Sequence, residues 1–146
     1  MATATLTKPE DRPAEILARV RSAFAEKGFD GASMQDLARA AGMSVGNFYR
    51  YFPSKAAIVE ALIALDLAEM EADFCAVLDA PSPMVALRDL MRRRLAEKQH
   101  KADGQLWAEI TAASLRKPDI CQAACAMETQ VASYLTRIFA VETGMT

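Results

Sequence analysis

One histidine, three cysteines and no apolar run of the roughly 18 residues that a membrane span requires remove several classes of protein at once. With His100 as the sole histidine, a Ser/His/Asp set is severely restricted, and neither a glycine-rich phosphate loop nor a paired metal motif is present. No catalysis, cofactor or metal is therefore expected. Cys75, Cys121 and Cys125 are odd in number, so in a reducing compartment they are expected to be small buried apolar residues. Cys121 and Cys125 stand four apart on one helix face, but a zinc site usually needs four ligands, so packing is the expected role. The opening stretch, MATATLTKPEDRPAEI, lacks a basic region followed by an apolar one, which points to a cytoplasmic protein. A basic excess is missing too: 17 Lys+Arg stand against 19 Asp+Glu, for a net charge of −2 and a pI near 5.5. Any face for nucleic acid has to be local. The two parts of the chain differ little, with 8 basic against 7 acidic residues in positions 1–60 and 9 against 12 in the remainder.

What the chain does have is apolar spacing of one kind. Its 146 residues are 52% hydrophobic and 25% charged, enough for one globular domain or two small coupled ones. Apolar residues recur at helical spacing nearly throughout, while period-two alternation and Asn-Gly or Asp-Gly hairpin turns are absent, which predicts an all-α fold. After a polar tail over 1–12, Pro13 suits a first helical position, and Ile16, Val20, Ala23 and Phe24 form a stripe that Gly28 ends. Ser33 with Asp36 three positions on resembles a capping box for a helix carrying Leu37, Ala38 and Ala41 up to Gly42. Ser44 can cap a brief third helix that Pro53 cannot continue, and Ser54 a long fourth one to about Ala80. The APSP break leads to a fifth helix from Met84 to about His100, with Leu87, Leu90, Met91 and Leu95 inward. A sixth is expected from about Asp103 to Leu115, and a seventh from Pro118, fraying towards Gly144.

The stretch VGNFYRYF, residues 45–52, concentrates four rings in little more than two turns. Two short helices, 33–41 and 44–51, meet at AAGMS, where Gly42 can take the left-handed conformation of a tight corner. This is the helix-turn-helix arrangement, in which the second helix enters the major groove of DNA. Phe48 and Phe52, four apart, are expected to pack inward beside Leu37 and Val20. The opposite face is then open: residues from Ser44 onward face base edges, Gly46 admits close backbone approach, and Asn47 can contact a base edge or phosphate. Tyr49 and Tyr51 carry hydroxyls that can reach phosphate oxygens, and Lys55 can do so from the first turn of the long helix. Aromatic residues at helical spacing are usually core, and for the rings alone that remains the competing reading.

The run GFDGASMQDLARAAGMSVGNFYRYFPSKAAIVEALI, residues 28–63, resembles the N-terminal DNA-binding domain of the tetracycline-repressor (TetR) family. The matching elements are Phe24 and Gly28, Gly31-Ala32-Ser33, Leu37-Ala38 with Ala41-Gly42, and Gly46, Phe48, Tyr49, Phe52, Ser54 and Lys55. The resemblance implies a head over 13–60 with base contacts from Gln35, Val45, Gly46, Asn47 and Arg50. It implies phosphate contacts from Ser33, Tyr49 and Lys55, with Tyr51 beside them. It further implies a helical regulatory domain over 61–146, joined to the head by the long fourth helix, that binds a small ligand and dimerises. Residues 102–140 look similar to the sixth and seventh helices of that domain, and the last two family helices, which make the four-helix dimer interface, are expected to be missing.

The expected function is that of a transcriptional regulator, a repressor that binds a palindromic double-stranded operator and is released by a small apolar or aromatic effector. Phe74, Leu87, Met91, Trp107, Ile110, Met127, Val131 and Tyr134 are the expected lining of the effector site. Each of these, taken singly, is also what an ordinary helix-bundle core would contain. A homodimer is expected if dimerisation survives the short C-terminal end, because paired half-sites lie about 34 Å apart. The alternative is a truncated helical adaptor or dominant-negative partner of a full-length regulator.

Overall fold

Capping chemistry sets the element boundaries at the N-terminal end of the molecule. The computed structural model describes residues 12–97 and 99–145, the side chains of 99–103 excepted, and is built from seven helices with no strand among the described residues. The polar tail expected over 1–12 lies outside the described residues, apart from Arg12, which opens the first helix. That helix, α1, runs Arg12–Lys27, and Gly28 closes it at φ 79°. Helix α2, Met34–Ala40, begins at a full capping box: the Asp36 amide donates to Ser33 Oγ at 3.1 Å, and the Ser33 amide donates to Asp36 Oδ2 at 2.9 Å. Helix α3, Val45–Tyr51, starts where the Asn47 amide donates to Ser44 Oγ, and helix α4, Lys55–Leu78, where the Ala57 amide donates to Ser54 Oγ. Gly42 turns the chain between α2 and α3 at φ 67°, and the Met43 amide donates back to the Ala38 carbonyl at 2.9 Å.

The remaining helices are α5, Pro83–Ala96, α6, Gln99–Ser114, and α7, Pro118–Thr143. Helix α5 is shorter at its C-terminal end than its apolar pattern predicts, because Glu97 turns extended (φ −71°, ψ 123°) and α6 starts two residues later. No glycine or proline marks this break. Its cause is a change of packing partner, since α5 lies on α4 and α7 whereas α6 packs on α1 and α7. The inward stripe of α5 is also narrower than expected. Pro83, Leu87 and Leu90 are buried and Arg94 pairs with Asp73 of α4, so Met91 and Leu95 rotate outward, to 43% and 85% exposure. The inward placement of those two residues is thereby corrected.

Two apolar clusters result. The larger joins α1, α2, α3 and the first half of α4 to α6 and the start of α7, from Val20, Phe24, Leu37, Phe48 and Ile58 across to Ile110, Ile120 and Ala123. The smaller lies between the second half of α4, α5 and α7, where the rings of Phe74 and Tyr134 stack with centroids 5.0 Å apart and planes 11° from parallel. The cysteines depart from the expected burial: Cys75 and Cys125 are exposed and Cys121 is half-buried. Each sits on a helix whose inward face is occupied by other residues, Phe74 and Val77 on α4 and Ile120 and Ala123 on α7.

Candidate nucleic-acid interface

The rings of VGNFYRYF divide between two faces of α3. Phe48 is fully buried and Phe52 nearly so, their centroids 5.6 Å apart within the larger cluster. Tyr49 and Tyr51 point away, at 45% and 42% exposure. A helix of seven residues forms too few internal bonds to stand alone, so the burial of Phe48 holds α3 in place and fixes which face remains open. That open face carries Val45, Gly46, Asn47, Tyr49, Arg50 and Tyr51, all exposed, with Ser44 at its N-cap. A Cβ added at Gly46 would meet nothing within 4 Å, so the backbone there is approachable from solvent. Gln35 is exposed on the first turn of α2, and Ser33 is exposed but has its hydroxyl committed to Asp36 at 2.8 Å.

The charge of this face is local, as the composition requires. From Leu37 to Val59 the chain carries Arg39, Arg50 and Lys55 and no carboxylate. Counting charge over the first 60 residues hides this window, because Asp30 and Asp36 lie just ahead of it. Asp36 is itself neutralised: its carboxyl is held well below the usual carboxylate range by the Lys27 ammonium at 2.8 Å, then by the Ser33 amide and hydroxyl. Beside α3, a cleft of about 470 Å³ is lined by Arg12, Glu15, Ile16 and Arg19 of α1, by Ala41, Gly42 and Met43 of the turn, and by Tyr51. Arg19 donates to the Ala41 carbonyl at 3.4 Å and pairs with Glu15 at 3.0 Å. Arg12 and Arg19 add cationic groups that motif reading does not single out. A signal for them exists in their seven-residue spacing along one face of α1.

Lys55 sits differently from the rest. Its ammonium donates to the Phe29 carbonyl at 2.6 Å and to the Asp30 carbonyl at 3.3 Å, and lies 5.3 Å from the centre of the Phe29 ring. Burial, and then the neighbouring Lys117 ammonium, hold its pKa below the ordinary lysine value. Two of its three protons are therefore engaged inside the protein. The same loop is gripped from the other side: the Phe29 amide donates to Glu109 Oε2 of α6, and Asp30 accepts from Arg116 at 2.8 Å and Lys117 at 3.1 Å. The hydrogen bond from Lys117, then the charges around it, lower the Asp30 pKa. This clamp ties the α1–α2 loop to α4, α6 and the α6–α7 turn. Its partners lie between 25 and 87 positions apart in sequence, so no local pattern reveals it.

The residues expected to line an effector site do not converge. Trp107, Ile110 and Met127 belong to the larger cluster, Phe74, Leu87 and Tyr134 to the smaller, Val131 is half-buried and Met91 is exposed. None of the eight lines the cleft beside α3.

The geometry of α2, turn and α3 has counterparts among known proteins. The model of the family described as bacterial regulatory proteins, tetR family, matches residues 16–62. The structure superposes on Salmonella enterica GusR with a TM-score of 0.80 at 30% sequence identity, covering 95% of this chain and 72% of that one. The chain belongs to the tetR family. Within that family it is 31% identical over 116 residues to the HTH-type transcriptional regulator UidR of Escherichia coli K12, covering 78% of this chain and 57% of the relative. It is 29% identical over 102 residues to the HTH-type transcriptional repressor KstR2 of Mycolicibacterium smegmatis, covering 69% and 50%. The chain thus spans 57% and 50% of the length of these two curated relatives. These tetR-family relatives are named as transcriptional regulators, not as enzymes. No helix among the described residues is long and apolar enough to cross a membrane.

Proposed function

We propose that this tetR-family chain is a sequence-specific DNA-binding transcriptional regulator, a cytoplasmic repressor that reads a palindromic operator as a homodimer. The observation that carries the reading is the two-faced third helix: Phe48 and Phe52 anchor it, and an exposed, carboxylate-free face with Asn47, Tyr49, Arg50 and Tyr51 is left for the major groove. Asn47 and Arg50 have the donor and acceptor groups to read base edges, whereas the tyrosine hydroxyls suit phosphate oxygens. Arg12 and Arg19, across the cleft from Tyr51, extend the cationic surface along the backbone of the same duplex.

An effector that releases the DNA is part of this proposal, and its apolar contacts would come from the smaller cluster around Phe74, Leu87 and Tyr134. That cluster borders the second half of α4, whose first turn holds the clamped loop through Lys55. Selection of bound duplexes from a random DNA pool at low salt tests the central claim. Enrichment of a two-fold palindrome is expected. Recovery of no preferred sequence at all would refute sequence-specific binding. In the same assay Asn47→Ala and Arg50→Ala are expected to change the preferred bases, at about 1–3 kcal/mol for each bidentate base pairing they abolish, while Tyr49→Phe weakens all duplexes alike.

A further inference from the structure

The start of α7 presents two thiols that neither the apolar core nor the proposed DNA contacts use. Cys121 and Cys125 lie one helical turn apart with their sulfurs at 3.8 Å, the first half-buried and the second exposed. The backbone beneath them is anchored, because Ile120 and Ala123 on the neighbouring face are buried in the larger cluster. The pair is therefore held in register by a packed helix rather than by a loose loop. Two metal–thiolate bonds of about 2.3 Å to one shared atom can span at most twice that length, so sulfurs 3.8 Å apart lie within reach of a single centre between them. Among the described residues no group of three or more His, Cys, Asp or Glu could hold a metal ion. A closed four-ligand zinc site is therefore not what these residues build. A centre satisfied by two soft ligands, bringing its own third substituent, matches the pair.

We infer that Cys121 and Cys125 form a two-thiol chelating site for a trivalent arsenical or a similarly thiophilic metalloid. The chemistry balances without an oxidant. An organoarsonous acid carrying two hydroxyls forms two As–S bonds, two As–O and two S–H bonds break, and two waters leave, with arsenic trivalent throughout. Disulfide formation is the less suited reaction. It needs the sulfurs to close to about 2.05 Å and needs a thiolate to attack the oxidant. This inference stands apart from the DNA-binding reading and survives its failure.

The test adds one equivalent of phenylarsine oxide, which hydrates to the arsonous acid, to the reduced 146-residue chain, followed by thiol titration and intact mass. Two of the three thiols are expected to disappear, with one arsenical per single chain, and an added dithiol is expected to reverse the loss where a monothiol does not. Cys75→Ser should bind as the parent does. Cys125→Ser, at an exposed position, and Cys121→Ser should each weaken binding by at least about 100-fold, the gain that a second tethered ligand supplies. Equal binding by Cys125→Ser, one arsenical bridging two chains, or a disulfide in place of the adduct would overturn the inference.

Discussion

Removing the Lys55 ammonium separates two roles that the same residue could play. In the structure it donates to the carbonyls of Phe29 and Asp30 and sits against the Phe29 ring, a geometry of internal support; the tetR-family resemblance instead implies a phosphate contact. Lys55→Met keeps the length of the apolar stem and deletes the charge. Hydrogen bonds to a charged group contribute about 1.5–3 kcal/mol each, but this side chain is only half-buried and recovers part of its desolvation cost on removal. A net loss of about 1–2 kcal/mol is expected, which for a chain of this size lowers Tm by about 3–7 °C. Thermal unfolding followed by circular dichroism measures that shift. Binding of the selected duplex across a salt series measures the other role: deleting one cation that neutralises a phosphate flattens the slope of log K against log salt by about 0.9. Internal support predicts a lower Tm and an unchanged slope. An unchanged Tm with a slope flatter by about 0.9 would refute the reasoning from geometry and restore the phosphate role.

Phe48→Ala removes a fully buried ring from the centre of the head and is expected to cost about 3–5 kcal/mol, read by urea unfolding; a loss below about 1 kcal/mol would mean that α3 is not anchored there. Gly46→Ala meets open space, so the fold should keep its Tm while DNA affinity drops because a methyl group intrudes where the backbone approaches the duplex; unaltered affinity would remove that close approach. The Asp36 carboxyl, held down first by Lys27 and then by Ser33, supports stability above its unfolded pKa near 3.8 and withdraws it as pH falls below about 4. Asp36→Asn should therefore be less stable than the parent at neutral pH and show a shallower acid limb, and parallel curves for the two proteins would contradict this. Gly42→Ala places a side chain at φ 67° and 3.3 Å from Arg19 Nη1, so a lowered Tm is expected, and an unchanged one would mean that the turn relaxes.

Local chemistry was the legible part. Ser33, Ser44 and Ser54 cap helices because their oxygens reach amides only three residues on, and Gly28 and Gly42 end helices because they alone accept positive φ cheaply. The split of rings in VGNFYRYF was legible for the same reason, since positions 48 and 52 share a helix face and 49 and 51 do not. The end of α5 was not legible, because Glu97 carries no turn preference and the break follows from the neighbours each helix packs against. Nor was the exposure of Met91, Leu95, Cys75 and Cys125, since composition names apolar residues without saying which stripe the neighbouring helices will cover.

Residues in contact within about four positions thus determined the all-α class, the helix-turn-helix and the face of α3 turned outward. Only the tertiary structure decided that the α1–α2 loop is clamped by Lys55, Glu109, Arg116 and Lys117, that six of the eight effector candidates divide between two separate clusters, and that Cys125 is left exposed. The physical reason is range. Caps and periodicity act along the chain and are written in neighbouring letters, whereas a clamp between positions 29 and 109 exists only once packing has brought α1, α4 and α6 together.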